Sequence, residues 1–241
     1  MSTPGLALRI DDAAVSRLTE EFAATGRVRI SDALDPAAAH NLYDDLLASS
    51  HWARTFRQGK AVREITPEQL AVLKPQQLAA LEVFARAGAE DAFRFLYDAI
   101  RTPFEASERV RRGLMTDRLN EALAAPAQLD LLRRITGDSA IVRLSLDATR
   151  YLPGHFLTRH SDGISDGHRV VAMVLNLSPH WLADWGGLLQ FHDEAGDISR
   201  ALTPTFNTLH LFAVPQWHSV SMVTPLAPAP RISLAGWLYR D

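Results

Sequence analysis

The sequence predicts a mainly β fold with helical support, and three features of its texture predict it. From residue 139 onward, short apolar runs rich in Val, Leu and Phe are split by Gly, Pro, Asn and Asp, the pattern of an antiparallel sandwich or barrel. Ahead of that, residues 67–136 show helical apolar spacing punctuated by prolines. Earlier still, Arg27-Val28-Arg29-Ile30 alternates polar and apolar side chains as a strand does.

After that strand, Asp35 stands at a helix N-cap and Pro36 at the first helical position. The helix is expected to run through Ala37 to Ala48 and to bury Leu42, Leu46 and Leu47. Residues 50–66 read as irregular and basic, with Arg54, Arg57, Lys60 and Arg63 against Glu64; a solvated loop or a lid over a binding site are the two readings. Pro67 and Pro75 each open a helix. Leu78, Leu81 and Ala85 form one helical face, and Phe93, Leu96, Tyr97 and Ile100 form another that ends at Pro103. Leu119 to Leu123 and Leu129 to Ile135 suggest two more helices, separated by Pro126 and stopped by Gly137. Pro225 to Pro230 stiffens the turn into a strand that starts at Arg231. The expected organisation is a helical support region, 1–138, and a β core, 139–241, forming one integrated catalytic unit.

The chain has 241 residues, 47% hydrophobic and 22% charged, which suffices for one substantial core with a helical elaboration. A net charge of −3 and a pI near 6.3 argue against a nucleic-acid partner. Cysteine is absent, which excludes disulfides, zinc-thiolate sites and cysteine nucleophiles. Met1 to Asp12 lack a basic stretch followed by a long apolar one, and no run reaches transmembrane length. The expectation is a cytoplasmic protein with no membrane partner; oligomeric state is not legible here.

The chemistry-bearing residues cluster in the β region. His160-Ser161-Asp162 is an HxD, and residues two apart on a strand share a face, so both side chains can grip one metal. His218 completes a two-histidine, one-carboxylate set, the facial triad that holds non-haem Fe(II) with coordination positions left open. Arg231 supplies a planar, permanently charged fork suited to a carboxylate. An open metal beside a carboxylate receptor suggests an oxygenase that uses a 2-oxo acid.

The flanking residues sharpen this. Tyr151-Leu152-Pro153-Gly154 precedes the HxD, Arg169 to Leu177 form an apolar strand, Gly186-Gly187 precede Leu188, Trp217 precedes His218, and Arg231-Ile232-Ser233 opens the last strand. In order and spacing these motifs, over roughly residues 139–240, resemble the prolyl 4-hydroxylase-like branch of the 2-oxoglutarate/Fe(II)-dependent dioxygenases. The resemblance implies a double-stranded β-helix (jelly roll) with the N-terminal helices packed on one sheet. It implies Fe(II) held by His160, Asp162 and His218, with 2-oxoglutarate as co-substrate and ascorbate as a candidate reductant. It places the far carboxylate of 2-oxoglutarate on Arg231, assisted by Ser233, and Tyr151 beside co-substrate or substrate. Asn176, Gly186 and Gly187 read as architectural, and Trp217 and Trp237 as lining the site. His155 and His210 stand near the motif strands, where they read as core or surface residues with an outer-shell role as the alternative. The sequence departs from the family at Val174, where some prolyl hydroxylases carry a tyrosine, and at Leu157, which replaces a common aromatic.

What the resemblance implies is hydroxylation of an unactivated C–H bond, in a prolyl residue of a protein or peptide substrate. A free amino acid or another small molecule is the alternative, since the same core serves both. A second alternative is a cupin-like protein that holds metal without turnover, although such a protein has no reason to keep a carboxylate receptor such as Arg231.

Overall fold

Arg27–Ile30 forms strand β1 in the computed structural model, which describes residues 5–89, 92–163 and 168–241. Helix α1, Asp12–Thr25, precedes it, capped by the Asp11 carboxylate accepting from the Ala14 amide. Helix α2, Pro36–Ala48, starts as expected: the Asp35 side chain accepts from the Ala37 and Ala38 amides, and Pro36 fills the first turn. Leu42 and Leu46 are buried, but Leu47 is 46% exposed. Leu46 and Leu47 are successive on the helix, about 100° apart, and α2 has one buried face.

Two stretches differ from the sequence expectation. The basic segment 50–66 is a β-hairpin, β2 (Ala53–Gln58) and β3 (Ala61–Ile65), rather than an irregular loop. Arg54 is buried in it. Its Nε donates to Asp98 Oδ1 at 2.7 Å and its Nη1 to Glu82 at 3.1 Å, so it serves a core ion network and no lid. The expected helix over 93–100 is strand β4, Phe95–Ile100. Its Leu96 and Tyr97 satisfy a helical apolar stripe equally well, but β4 pairs with β2, β5 and β6, and those ladders decide.

Helices α3 (Pro67–Val72) and α4 (Pro75–Arg86) begin at the two expected prolines. Helices α5 (Ala106–Arg112), α6 (Met115–Leu123) and α7 (Pro126–Thr136) follow, with Gly137 in left-handed conformation closing the last. The remaining strands are β5 (Arg143–Tyr151), β6 (Phe156–His160), β7 (Arg169–Asn176), β8 (Leu189–His192), β9 (Ile198–Leu202), β10 (Thr208–Ala213), β11 (His218–Val220) and β12 (Arg231–Tyr239).

The twelve strands of the described residues form one antiparallel sheet in the order β1-β10-β7-β12-β5-β4-β6-β11-β8-β9, with the β2–β3 hairpin attached to β4. The sheet curls on itself, so that residues of β5, β7 and β12 line the same cavity as residues of β6, β8 and β11. On the outer side of β5, β7, β10 and β12, helices α1, α2, α6 and α7 bury the main core, which includes Leu18, Leu42, Leu119 and Leu132 against Leu146, Leu175, Leu211 and Leu234. Burial of this kind is the dominant stabilising term. Strand β4, from the N-terminal part of the chain, lies between β5 and β6 and joins the two halves of the curl.

Asp98 is fully buried on β4 and receives Arg54 and Arg150, the latter through Nη2 at 2.8 Å. Burial pushes its carboxyl up, but the Arg54 hydrogen bond and charge, with help from His155 and Arg150, outweigh that and leave it below the ordinary range. A depressed carboxyl contributes stability that is present above its unfolded value, about 4, and is lost as the pH falls through the folded value. Asp98→Asn is therefore expected to cost about 3–5 kcal/mol at pH 7, because two arginines lose their buried partner. The cost is expected to shrink in acid. Denaturant unfolding of both proteins at neutral and acid pH measures it.

Candidate metal centre

His160 ends β6, and β11 is registered so that His218 lies opposite it, with the two imidazole centroids 4.1 Å apart. The curl of the sheet thus brings together two residues distant in sequence. Asp162 joins them by a different route from the one expected. It does not share a strand face with His160, because β6 stops at His160 and Asp162 has a φ of 57°. Aspartate tolerates this left-handed region better than most residues. The turn places Oδ1 3.4 Å from His160 Nε2 and Oδ2 3.4 Å from His218 Nε2. One ligand atom from each of the three side chains lies within 4.8 Å of the others.

Both histidines are held the same way. His160 Nδ1 meets the Thr158 carbonyl at 2.9 Å and His218 Nδ1 meets the Gln216 carbonyl at 2.8 Å. A carbonyl can only accept, so each Nδ1 donates, and Nε2 is the ring nitrogen that each histidine turns toward Asp162. Burial, reinforced by His160, pushes His218 down to about 4, so it is neutral at physiological pH. Burial raises the Asp162 carboxyl, but the hydrogen bond and charge of His160, then His218 and Trp237, bring it down to about 2. Trp237 Nε1 donates to Asp162 Oδ2 at 3.0 Å and fixes the carboxylate's orientation. Phe93 stacks on His160 at 4.9 Å, and Phe212 meets His218 edge-on at 4.8 Å. Two imidazole lone pairs and one carboxylate converging in a mixed N/O set fit a divalent first-row metal with open positions.

The cluster opens into a cavity of about 580 Å³. Arg231 lies in it, 2% exposed, and its hydrogen-bond partners among the described residues are neutral: Nη1 donates to Ser233 Oγ at 3.0 Å and Nη2 to Asn176 Oδ1 at 3.2 Å. Its guanidinium sits 5.1 Å over the Tyr151 ring, and its buried Nε has no partner among the described residues. Desolvation accordingly pushes the Arg231 pKa down. A buried cation left this way is costly unless an anion joins it. Arg231 and Ser233 face the cavity together, as strand parity requires, and Thr149 across the ladder hydrogen-bonds the Ser233 hydroxyl at 2.9 Å.

The double glycine bears on this arginine. Gly186 has φ 69° and ψ −151°, a conformation essentially restricted to glycine, and a Cβ there would lie 2.0 Å from the Met222 carbonyl oxygen. A Cβ on Gly187 would come within 2.8 Å of Arg231 Cδ. Gly186→Ala is expected to lose at least the about 1–3 kcal/mol of backbone strain, read as a lower denaturation midpoint.

Of the residues expected from sequence, His160, Asp162, His218, Arg231, Ser233, Tyr151, Trp217 and Trp237 all line the one cavity, as do Val174 and Leu157. His155 and His210 are buried, each pushed down to about 4 chiefly by burial, and neither lines it. Asn176 is more than architectural, since it holds Arg231. Thr149 and Phe93 are additions. Thr149 was legible as the residue two before Tyr151, on the same strand face. Phe93 was hidden by the helical reading of its segment.

Residues 146–239 match the model of the 2OG-Fe(II) oxygenase superfamily. This segment carries the sequence pattern of a 2OG-Fe(II) oxygenase core. The core is similar, at 30% identity, to prolyl 3-hydroxylase OGFOD1 of Mus musculus, over 45% of this chain and 21% of that one, so the chain spans about a fifth of this relative's length. The fold extends the likeness beyond the core. A Pseudomonas putida prolyl-4-hydroxylase superposes with a TM-score of 0.59 at 19% identity, covering 94% of this chain and 99% of that one. A Trichoplax adhaerens prolyl hydroxylase, solved with a hypoxia-inducible-factor peptide fragment, gives 0.62 at 17% identity, covering 94% and 89%. The curled sheet is thus the jelly roll of these oxygenases. Among the described residues no helix is long and apolar enough to cross a membrane.

Proposed function

We propose that this protein is a 2-oxoglutarate- and O₂-dependent hydroxylase acting on a prolyl residue of a protein or peptide. The observation that carries the reading is the meeting, in one cavity, of the His160, Asp162 and His218 cluster with a buried Arg231 that has only neutral partners. His160 and His218 would hold Fe(II) through Nε2 and Asp162 through its carboxylate. Bound Fe(II) supplies O₂ activation coupled to decarboxylation of the 2-oxo acid, and the oxidising power to hydroxylate a C–H bond. The chain's residues do the rest. Arg231, with Ser233, Thr149 and Asn176 around it, receives the far carboxylate of 2-oxoglutarate and so sets its orientation. Tyr151 packs its ring under that guanidinium. The Nδ1 contacts to Thr158 and Gln216 keep both imidazoles in the metal-binding tautomer. Phe93, Phe212 and Trp237 keep the centre apolar and limit water.

The prolyl substrate rests on the likeness to prolyl hydroxylases and on a cavity wider than a 2-oxo acid needs. Ascorbate, as a reductant that keeps the iron ferrous, belongs to the same reading. The test is mass spectrometry of lysate proteins incubated with the enzyme, Fe(II), 2-oxoglutarate and ascorbate. Gain of one oxygen atom localised to proline, with matching succinate, is expected. Clean turnover of a free metabolite with no modified protein would sink the prolyl reading.

A further inference from the structure

Around the cavity mouth, each member of the metal cluster is accompanied by an arginine lying on an aromatic ring. Arg57 lies 5.0 Å over Phe93, which stacks on His160. Arg159 lies 4.2 Å over Trp217, the neighbour of His218. Arg169 lies 3.7 Å over Trp237, which donates to Asp162. No ion pair among the described residues includes Arg57, Arg159 or Arg169. Arg101, also on the cavity wall, differs: Asp147 and Glu64 neutralise it.

We infer that these three arginines select an acidic polypeptide, with carboxylates on either side of the residue that enters the cavity. The inference rests on the oxygenase reading of the same site. Stacking on a ring fixes a guanidinium's plane and leaves its in-plane N–H donors at the edge; Arg57 gives its Nε to the Gly59 carbonyl at 2.9 Å and keeps its two terminal nitrogens for a carboxylate fork. Three such receptors on three different strands suit an extended chain with separated charges better than a single small anion. A nucleic acid fits less well. Phe93 is already flanked by Arg57 and His160, which takes it out of use as a base-stacking platform, and the chain carries a net charge of −3.

Binding is measured anaerobically on the protein loaded with Fe(II) and 2-oxoglutarate, by fluorescence anisotropy. The probes are a short proline-centred peptide with glutamates on both sides, its glutamine analogue, and a single-stranded oligonucleotide. The glutamate peptide is expected to bind about tenfold tighter than the glutamine analogue at low salt, with the gap closing as salt rises. Arg57→Gln combined with Arg159→Gln is expected to remove that preference while 2-oxoglutarate, received by the buried Arg231, binds as before, which also certifies the variant's fold. Equal binding of the two peptides to the unaltered protein, or tighter binding of the oligonucleotide, overturns the inference. If succinate formation in O₂ persists while the peptides bind alike, this inference alone fails. If the glutamate peptide is preferred but no succinate forms, the oxygenase reading fails and acidic-peptide selection stands.

Discussion

Arg231→Met is expected to leave the ligand-free protein as stable as before, or more stable, while abolishing its thermal response to 2-oxoglutarate. The two halves have one cause. Among the described residues Arg231 is a desolvated cation with Ser233, Asn176 and the face of Tyr151 as partners and a buried Nε that has none. Replacing buried charge by an apolar side chain of similar size is often neutral or stabilising. With 2-oxoglutarate present the sign reverses, because the carboxylate loses a buried, hydrogen-bonded partner. That loss is on the scale of about 2–5 kcal/mol, or roughly 30- to several-thousand-fold in affinity. Melting curves with and without 2-oxoglutarate read both, since a ligand that binds the folded state raises its stability by mass action. A variant that melts lower without ligand and still responds to 2-oxoglutarate would assign Arg231 to structure.

Asp162→Ala is expected to remove metal binding and turnover together while the β core survives. Asp162 is the only carboxylate of the cluster, and both histidine Nε2 atoms point at it. Its loss leaves two imidazoles, a weaker ligand pair for Fe(II). The fold is expected to hold because Asp162 lies beyond the end of β6 and, among the described residues, its side chain meets Trp237 and the two histidines alone. His160→Ala and His218→Ala are expected to behave alike. Metal content of the purified variants, read beside their circular dichroism, separates loss of metal from loss of fold.

The residues that meet in the cavity were legible in the sequence because the chemistry proposed for them depends on residue type. HxD, a later histidine and an arginine two before a serine carry their meaning wherever the strands run. The route by which Asp162 reaches the cluster was not legible, since a left-handed turn and a strand face serve the same spacing. Nor was the role of Asn176, which needs the β12–β7 register that places it opposite Ser233. The N-terminal part was read less well. Phe93 to Ile100 fits a helical and an extended pattern alike, and only the partners β2, β5 and β6 choose between them. The hairpin over 53–65 was masked by its charge, because Arg54 is buried by ion pairs with Asp98 and Glu82 that lie far away in sequence.

On the proposed function, the His160, Asp162 and His218 cluster and Arg231 form one receptor for 2-oxoglutarate. Anaerobic calorimetric titration of 2-oxoglutarate into the protein, with and without Fe(II), tests it most directly. One 2-oxoglutarate per chain is predicted, bound much more tightly with Fe(II) than without, and weakened both by Asp162→Ala and by Arg231→Met. Binding of equal strength with and without Fe(II), unchanged by either substitution, would contradict it.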